Sequence, residues 1–353
     1  MTTKKIGLMG SGIVATYSHV PAIFASELCD FAGIFDPNPD QLRKIQEKHH
    51  ISPDLCYTDV KKFFRECPMD AVSIASAAPA HKENCLLAVK YGKPMLCEKP
   101  LALNEEDGRI MVDTAAKARV PLWMGLVVRF APVAQKIYEL IRRRAIGDIR
   151  SLRLIFNWSC HGQYKIDDDT GKYGINRRRE GRMFEGGPLI DTGTHQIDLA
   201  RWWLNSEVVR YDGFGAWVEN NYESPDHTWL HLDHENGAHT MIEVSFAYGH
   251  TTKETISEFI YELIGTEGVI RYDRNQKTIV IHGKKEDLRL PSDEDRGFHA
   301  MYDEFARALD TGKSDILATG MDGLIATRIS RLSTDEAINK HMLLNHKGAE
   351  FGV

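Results

Sequence analysis

A glycine loop constrains this chain more than any other feature. Gly10-Ser11-Gly12-Ile13-Val14-Ala15 stands directly between a short apolar run at residues 4–9 and an apolar helix pattern that continues to about residue 26. Gly10 permits a tight turn, and Gly12 lets the backbone approach a pyrophosphate at the N-terminus of the helix. Ala15 takes the place of a third glycine, a position that governs only helix–strand packing. A second strand, residues 29–35, ends at Asp36, and no Arg or Lys follows until Arg43. A carboxylate at that point accepts hydrogen bonds from the adenosine ribose hydroxyls and repels a 2′-phosphate. The loop therefore predicts a bound dinucleotide, NAD in preference to NADP, held by Gly10, Ser11, Gly12, Ile13, Val14 and Asp36. The competing reading makes Asp36 a turn cap ahead of Pro37.

The rest of the first third repeats one rhythm. Strands are expected at 71–75, 94–97 and 121–126, and helices at 40–49, 59–66, 80–91 and 104–118. Strands alternating with helices at this spacing indicate a parallel, doubly wound sheet, an α/β dinucleotide-binding Rossmann domain over residues 1–126. The pattern changes near residue 127. After a helix at 131–144 and a long strand at 149–158, strands at 208–218, 226–234, 239–247, 258–264, 268–272 and 277–282 are joined by short turns. Glu235-Asn236-Gly237 has the Asn-Gly pair that hairpin turns favour. Residues 127–353 thus read as an α+β domain with a large open mixed or antiparallel sheet. Helices at 297–311 and 320–338 close the chain, with packing back on the first domain as one arrangement for them. A length of 353 residues agrees with two domains.

Charge excludes one class of partner. With 44 Lys+Arg against 50 Asp+Glu the formal charge is −6, whereas a nucleic-acid surface needs clustered positive charge. Two basic triplets, Arg142 to Arg144 and Arg177 to Arg179, are the exceptions; the first reads as a solvated helix end. No apolar run approaches the ~20 residues of a membrane-spanning helix, and the start of the chain lacks a signal-peptide core. The six cysteines form no C-x-x-C pair and sit mostly in apolar stretches, which suits free thiols. A cytoplasmic protein without nucleic-acid or membrane partners is expected.

Two further stretches carry chemistry. Cys97-Glu98-Lys99-Pro100 lies at the carboxyl end of a strand, the edge at which doubly wound sheets bind ligands. A lysine there can hydrogen-bond a substrate hydroxyl and assist proton transfer. Within Glu185-Gly186-Gly187-Pro188-Leu189-Ile190-Asp191-Thr192-Gly193-Thr194-His195-Gln196-Ile197-Asp198, Asp191 and His195 are four positions apart and share a helix face. A carboxylate beside an imidazole raises its pKa and orients it, as a general base requires. Asp198 is an alternative partner, and a capping Asp with an incidental His is the bland reading.

Together these stretches, with Ile146-Gly147-Asp148-Ile149 entering the second domain, resemble the Gfo/Idh/MocA family of NAD(P)-dependent oxidoreductases over nearly the whole chain. The resemblance implies a catalytic trio of Lys99, Asp191 and His195, with His195 as acid/base. It implies oxidation of sugars, polyols or related ring alcohols, and it assigns substrate binding and oligomerisation to residues 127–353. A homodimer or homotetramer would pair through the outer face of the C-terminal sheet, where Trp217 and Trp229 lie. The family often has Thr-Pro after the fourth strand. Here Ser76-Ala77-Ala78 stands instead, with His81 matching a frequent histidine, so Ser76, His81, Glu98 and Lys99 join the expected cofactor contacts. Hydride transfer from a sugar, glycoside or cyclitol alcohol is the leading function. NAD-assisted oxidation–elimination without net redox change and a non-catalytic NAD/sugar sensor are the alternatives. The segment 160–183 reads as a loop beside the site, and His227, His231, His234 and His239 lack the carboxylate or cysteine support of a metal site, so no metal is expected.

Overall fold

The computed structural model describes residues 2–160, 164–166, 173–175, 181–219, 222–252, 254, 256–284 and 287–351, with the backbone path alone for 164–166, 173–175 and 344–351. Two compact units form, Met1–Ala131 with Arg296–Thr327 and Pro132–Asp295 with Arg328–Val353.

The first unit is built on a six-stranded sheet. Its strands are β1 (Lys4–Met9), β2 (Cys29–Phe35), β3 (Cys56–Tyr57), β4 (Ala71–Ile74), β5 (Met95–Glu98) and β6 (Leu122–Gly125). Every pairing is parallel, in the order β3-β2-β1-β4-β5-β6. Strands sandwiched by helices lose any polar face, and β4 and β5 are buried at every position. The connecting helices are α1 (Val20–Ala25), α2 (Pro39–His49), α3 (Val60–Glu66), α4 (His81–Lys90) and α5 (Glu105–Ala118). Their starts are written in the sequence. Asn38 caps α2 ahead of Pro39, Asp59 caps α3 and Asn104 caps α5, each accepting from a backbone N–H of the first turn. The strand order reverses between β1 and β4, which makes the crevice beyond their carboxyl ends the natural ligand site.

The second unit carries α6 (Pro132–Arg142), β7 (Ile149–Asn157), the short antiparallel pair β8 (Tyr164–Ile166) and β9 (Tyr173–Ile175), α7 (Gly181–Phe184) and α8 (Thr194–Leu204). Then come β10 (Val208–Ala216), β11 (His227–His234), β12 (His239–Ser245), β13 (Glu258–Gly265), β14 (Gly268–Asp273), β15 (Thr278–Gly283) and β16 (Asp287–Pro291). Eight strands make one mixed sheet, β10-β11-β12-β7-β13-β14-β15-β16, in which only β12 and β7 run parallel. The strict alternation of burial along β11 shows one face packed and the other half open.

Helix α9 (Phe298–Thr311) returns to the first unit, where Phe298, Met301, Tyr302 and Phe305 join a core with Ile6, Ile23, Leu96, Trp123 and Phe130. Helix α10 (Gly320–Phe351) begins in that unit and ends in the second, reaching well beyond the expected residue 338. The chain leaves the first unit at Ala131 and re-enters it at Arg296. Other departures are local. Strands β3 and β16 are added to the sheets, and the expected 160–183 loop contains β8, β9 and α7. Two wide helical turns with π geometry, Ala15–His19 and Leu189–Gly193, follow the two glycine-bearing motifs. His161 to Gln163, Asp167 to Asp169 and Arg177 to Arg179 lie outside the described residues.

Candidate active site

The glycine loop sits at the carboxyl end of β1. Gly10 has φ +101, and a Cβ there would stand 2.7 Å from the backbone of Ser76, so only glycine fits between the β1 and β4 loops. Nothing lies within 4 Å of a Cβ built on Gly12, which leaves the room that a close-lying phosphate needs. The next helix begins at residue 13, and Ile13 is 56% exposed above the loop. Asp36 joins the loop directly. Its Oδ2 accepts from Ser11 N at 2.8 Å and Ser11 Oγ at 2.7 Å, while Oδ1 accepts from Asn38 N at 2.9 Å. One oxygen thus closes the turn before Pro39 and the other holds the glycine loop.

Glu98 and Lys99 end β5. Glu98 pairs in register with Gly125, where a Cβ would come within 3.0 Å of Glu98 Oε1. The buried carboxylate accepts from His19 Nε2 at 3.0 Å and from Lys99 N at 3.2 Å. Ser76 stands beside Gly10, and its Oγ accepts from Asn84 Nδ2 at 2.9 Å. His81 is almost fully buried between the Ser76 carbonyl (3.0 Å) and the Pro100 carbonyl (2.8 Å). Desolvation drives its pKa down, against the pull of those carbonyls, so a neutral ring donating to one of them braces the Ser76 loop against Pro100.

In the second unit, Gly187 at φ +81 leads into Pro188 and the wide turn Leu189–Gly193. Asp191 falls in that turn and His195 in the first turn of α8. The two residues remain four positions apart across the junction of the wide turn and α8. Asp191 is buried and its Oδ2 accepts from Arg182 Nη1 at 2.6 Å, with Thr192 Oγ1 at 3.2 Å. Arg182 lies over the Trp158 ring, 6.0 Å from its centroid. His195 is half-buried while both neighbours are buried, and Asp198 is buried.

Comparison with known proteins decides the family. A model described as "Oxidoreductase family, NAD-binding Rossmann fold" matches residues 4–126, and one described as "GFO/IDH/MocA C-terminal domain" matches residues 134–271. The chain belongs to the Gfo/Idh/MocA family of oxidoreductases. Its first unit is accordingly an NAD-binding Rossmann domain, and the chain is a dehydrogenase-type enzyme. D-apiose dehydrogenase of Rhizobium rhizogenes (strain K84) is 27% identical over 277 residues, 78% of this chain and 75% of that protein. The chain spans 47% of the length of another relative, YteT of Bacillus subtilis (strain 168), at 26% identity over 59% of this chain. A solved levoglucosan dehydrogenase, in complex with NADH and levoglucosan, has the same fold, with TM-score 0.81, 20% identity, and 96% and 98% of the two chains covered.

Within this Gfo/Idh/MocA chain several participants carry no local signal. Arg182 lies upstream of the glycine pair, in a stretch that reads as loop. His19 and Tyr302, which meet at 2.7 Å, are 283 positions apart. Two other clusters look chemical and have plainer roles. His239 bridges His231 (3.0 Å) and Asp233 (2.7 Å) on the half-open sheet face. Among the described residues no group of three or more His, Cys, Asp or Glu is placed to hold a metal. Cys29, Cys56, Cys67, Cys85 and Cys97 are free thiols, and burial pushes the Cys85 thiol up to about 12 and the Cys29 and Cys67 thiols up to about 11. No helix among the described residues is long and apolar enough to cross a membrane.

Proposed function

We propose that this enzyme oxidises a secondary alcohol of a sugar, glycoside or cyclitol, with NAD as the hydride acceptor. The observation that carries the reading is the row of strand ends in the first unit, where the glycine loop follows β1, Ser76 follows β4 and Lys99 follows β5. That row lines the ligand edge of a doubly wound sheet. The relatives named for D-apiose and levoglucosan support a sugar-like substrate.

Bound NAD would supply the acceptor for the hydride of the carbinol carbon. The protein's part is the proton and the geometry. Gly10, Ser11, Gly12, Ile13 and Val14 would seat the pyrophosphate, and Asp36, exchanging its Ser11 contact for ribose hydroxyls, would select the adenosine end. Ser76 and His81 would shape the loop beside it, with Glu98 buried behind Lys99. Lys99 would hydrogen-bond the reacting hydroxyl, and His195 would take its proton as the carbonyl forms. Asp191, anchored by Arg182, would steady the imidazolium. The first unit would serve the dinucleotide and the second would bind substrate and carry the subunit contacts.

A panel of sugars, inositols and glycosides tested for NADH formation decides the matter. At least one alcohol should be oxidised in proportion to enzyme. A protein that binds NADH yet reduces NAD with no member of the panel would overturn the dehydrogenase reading.

A further inference from the structure

The wide turn Ala15–His19 directly follows the glycine loop, and it ends on a histidine with no solvent exposure. Tyr17 on that turn is 63% exposed, whereas Ser18 and His19 point inward. A π turn accommodates one more residue than an α turn, which is how the helix delivers His19 to the interior. There its Nδ1 lies 2.7 Å from the Tyr302 hydroxyl and its Nε2 lies 3.0 Å from Glu98 Oε1. Tyr302 OH in turn lies 2.9 Å from Ser73 Oγ. Ser73, Tyr302 and His19 are fully buried and Glu98 nearly so. The remaining wall is the Phe298 ring, edge-on to the imidazole with centroids 5.2 Å apart. Burial holds the Tyr302 phenol neutral, far above its ordinary pKa.

A carboxylate this deep is tolerated only with fixed donors around it. Glu98 Oε1 has the His19 ring and Oε2 has the Lys99 backbone N–H. Nε2 of the ring faces Glu98 Oε1 and Nδ1 faces the Tyr302 hydroxyl, which donates to Ser73 Oγ. His19 is held from both sides, and it holds one half of a carboxylate whose other half grips the lysine backbone. His81 and the buried Cys97 thiol also lie in the electrostatic reach of Glu98, and the hydrogen bonds of His81 go to backbone carbonyls.

We propose that His19 is a positioning residue for Lys99. Acting through Glu98, and braced by Tyr302 and Ser73, it ties the glycine-loop helix to the lysine, so that one rigid support serves both. The inference rests on Lys99 being the group that meets the substrate hydroxyl.

Two substitutions separate the contacts. His19→Gln keeps an amide nitrogen where Nε2 stands and preserves the bond to Glu98. His19→Asn keeps one where Nδ1 stands and loses it. The readout that needs no turnover is the pH midpoint for acylation of Lys99 by trace acetic anhydride, mapped by mass spectrometry on the NAD-free protein. A Glu98 carboxylate released in His19→Asn can turn onto the Lys99 ammonium, so the midpoint should rise by about one pH unit, while His19→Gln stays within a few tenths of the unaltered protein. With the oxidised alcohol in hand, kcat should fall roughly 10-fold in His19→Asn with little change in KM, and largely recover in His19→Gln. If His19→Asn does not fold, Tyr302→Phe, which removes one hydroxyl and keeps the ring, should shift the midpoint the same way by a smaller amount. An unchanged Lys99 midpoint in folded His19→Asn, or failing that in Tyr302→Phe, overturns the proposal. Absence of any oxidised alcohol would reject the dehydrogenase reading instead, and the acylation midpoints would still decide the role of His19.

Discussion

Ser11 donates twice to Asp36, from its backbone nitrogen at 2.8 Å and from its hydroxyl at 2.7 Å, and both bonds end on the same carboxylate oxygen. The residue proposed to read the ribose thus also shapes the loop proposed to seat the pyrophosphate. A 2′-phosphate at this place would meet a carboxylate already committed as an acceptor, with no cation before Arg43. NAD should therefore bind more tightly than NADP. Asp36→Ser should narrow the gap and also weaken NAD, because the Ser11 contact goes with it. Titration of both dinucleotides against both proteins checks this, and equal dissociation constants in the unaltered protein would remove the assignment.

The parallel half of the fold was readable because each central strand is an apolar run bounded by turn residues, and because Asn38, Asp59 and Asn104 announce their helices. Strand β3 was not, since two residues carry no period. The wide turns at Ala15–His19 and Leu189–Gly193 keep the apolar spacing of an α-helix closely enough that the sequence does not separate the two. Candidate residues inside compact motifs, such as Ser11, Asp36 and Lys99, could be named from the chain alone. Tyr302 could not, because its meeting with His19 is made by α9 returning to the first unit, and nothing near residue 302 marks that return. Trp217, which the resemblance places on the outer face of the C-terminal sheet, lies beyond the end of β10, stacked on His341 at 4.0 Å with its Nε1 donating to the Glu223 carbonyl.

The Arg182–Asp191 pair makes a prediction with a sign. The guanidinium shares the charge of the carboxylate that is proposed to steady His195. Removing it in Arg182→Gln frees that charge, so the acidic limb of the kcat/KM profile should move to higher pH. Asp191→Asn should move it to lower pH and slow turnover. Asp191 is buried, so loss of the guanidinium also leaves that carboxylate short of a donor and should lower the melting temperature. Profiles for the three proteins test the idea, and shifts of the same sign in both variants would sink it.

Glu243 on β12 links stability to pH. His227 Nε2 at 3.3 Å, and next the Asn157 amide donating at 2.9 Å, hold its carboxyl below the ordinary carboxylate pKa against the opposing effect of burial. A depressed folded-state pKa means stabilisation that is present above the unfolded value of about 4.3 and lost as pH falls through the folded one. Glu243→Gln should lower the melting temperature at pH 7 by about 1–3 °C, and the difference should shrink at or below about pH 4. A pH-independent difference between the two melting curves would contradict the assignment.

Assembly should follow from the half-open face of the second unit's sheet. Trp229, His231 and Met241 alternate with fully buried neighbours, and Phe214 opposite Trp229 is exposed. Trp229, Met241 and Phe214 form an apolar patch on a face that also carries His231, His239 and Asp233, and such a patch favours burial against another chain. A closed dimer or tetramer is expected, since a self-complementary sheet face pairs with itself. Light scattering at micromolar concentration should give a multiple of 40.0 kDa, and Trp229→Glu should reduce it. A single 40.0 kDa particle in the unaltered protein would contradict the prediction.

The proton relay gives the most direct test of the chemistry. If His195 takes the hydroxyl proton, oxidation should rise with pH through one ionisation and then level off, because only the neutral imidazole accepts. His195→Ala should lower kcat by ~10²–10⁴, the usual worth of general acid–base catalysis, while NAD affinity is nearly unchanged. Lys99→Met should damage kcat and KM together, since this side chain is proposed to touch the reacting hydroxyl. A packing role for His195 predicts the reverse pattern. The half-buried ring would then support the first turn of α8, and its loss would lower the melting temperature while each folded molecule kept its turnover. Melting temperature and kcat measured on one preparation of His195→Ala separate the two, and a destabilised variant with full kcat would reject the catalytic role.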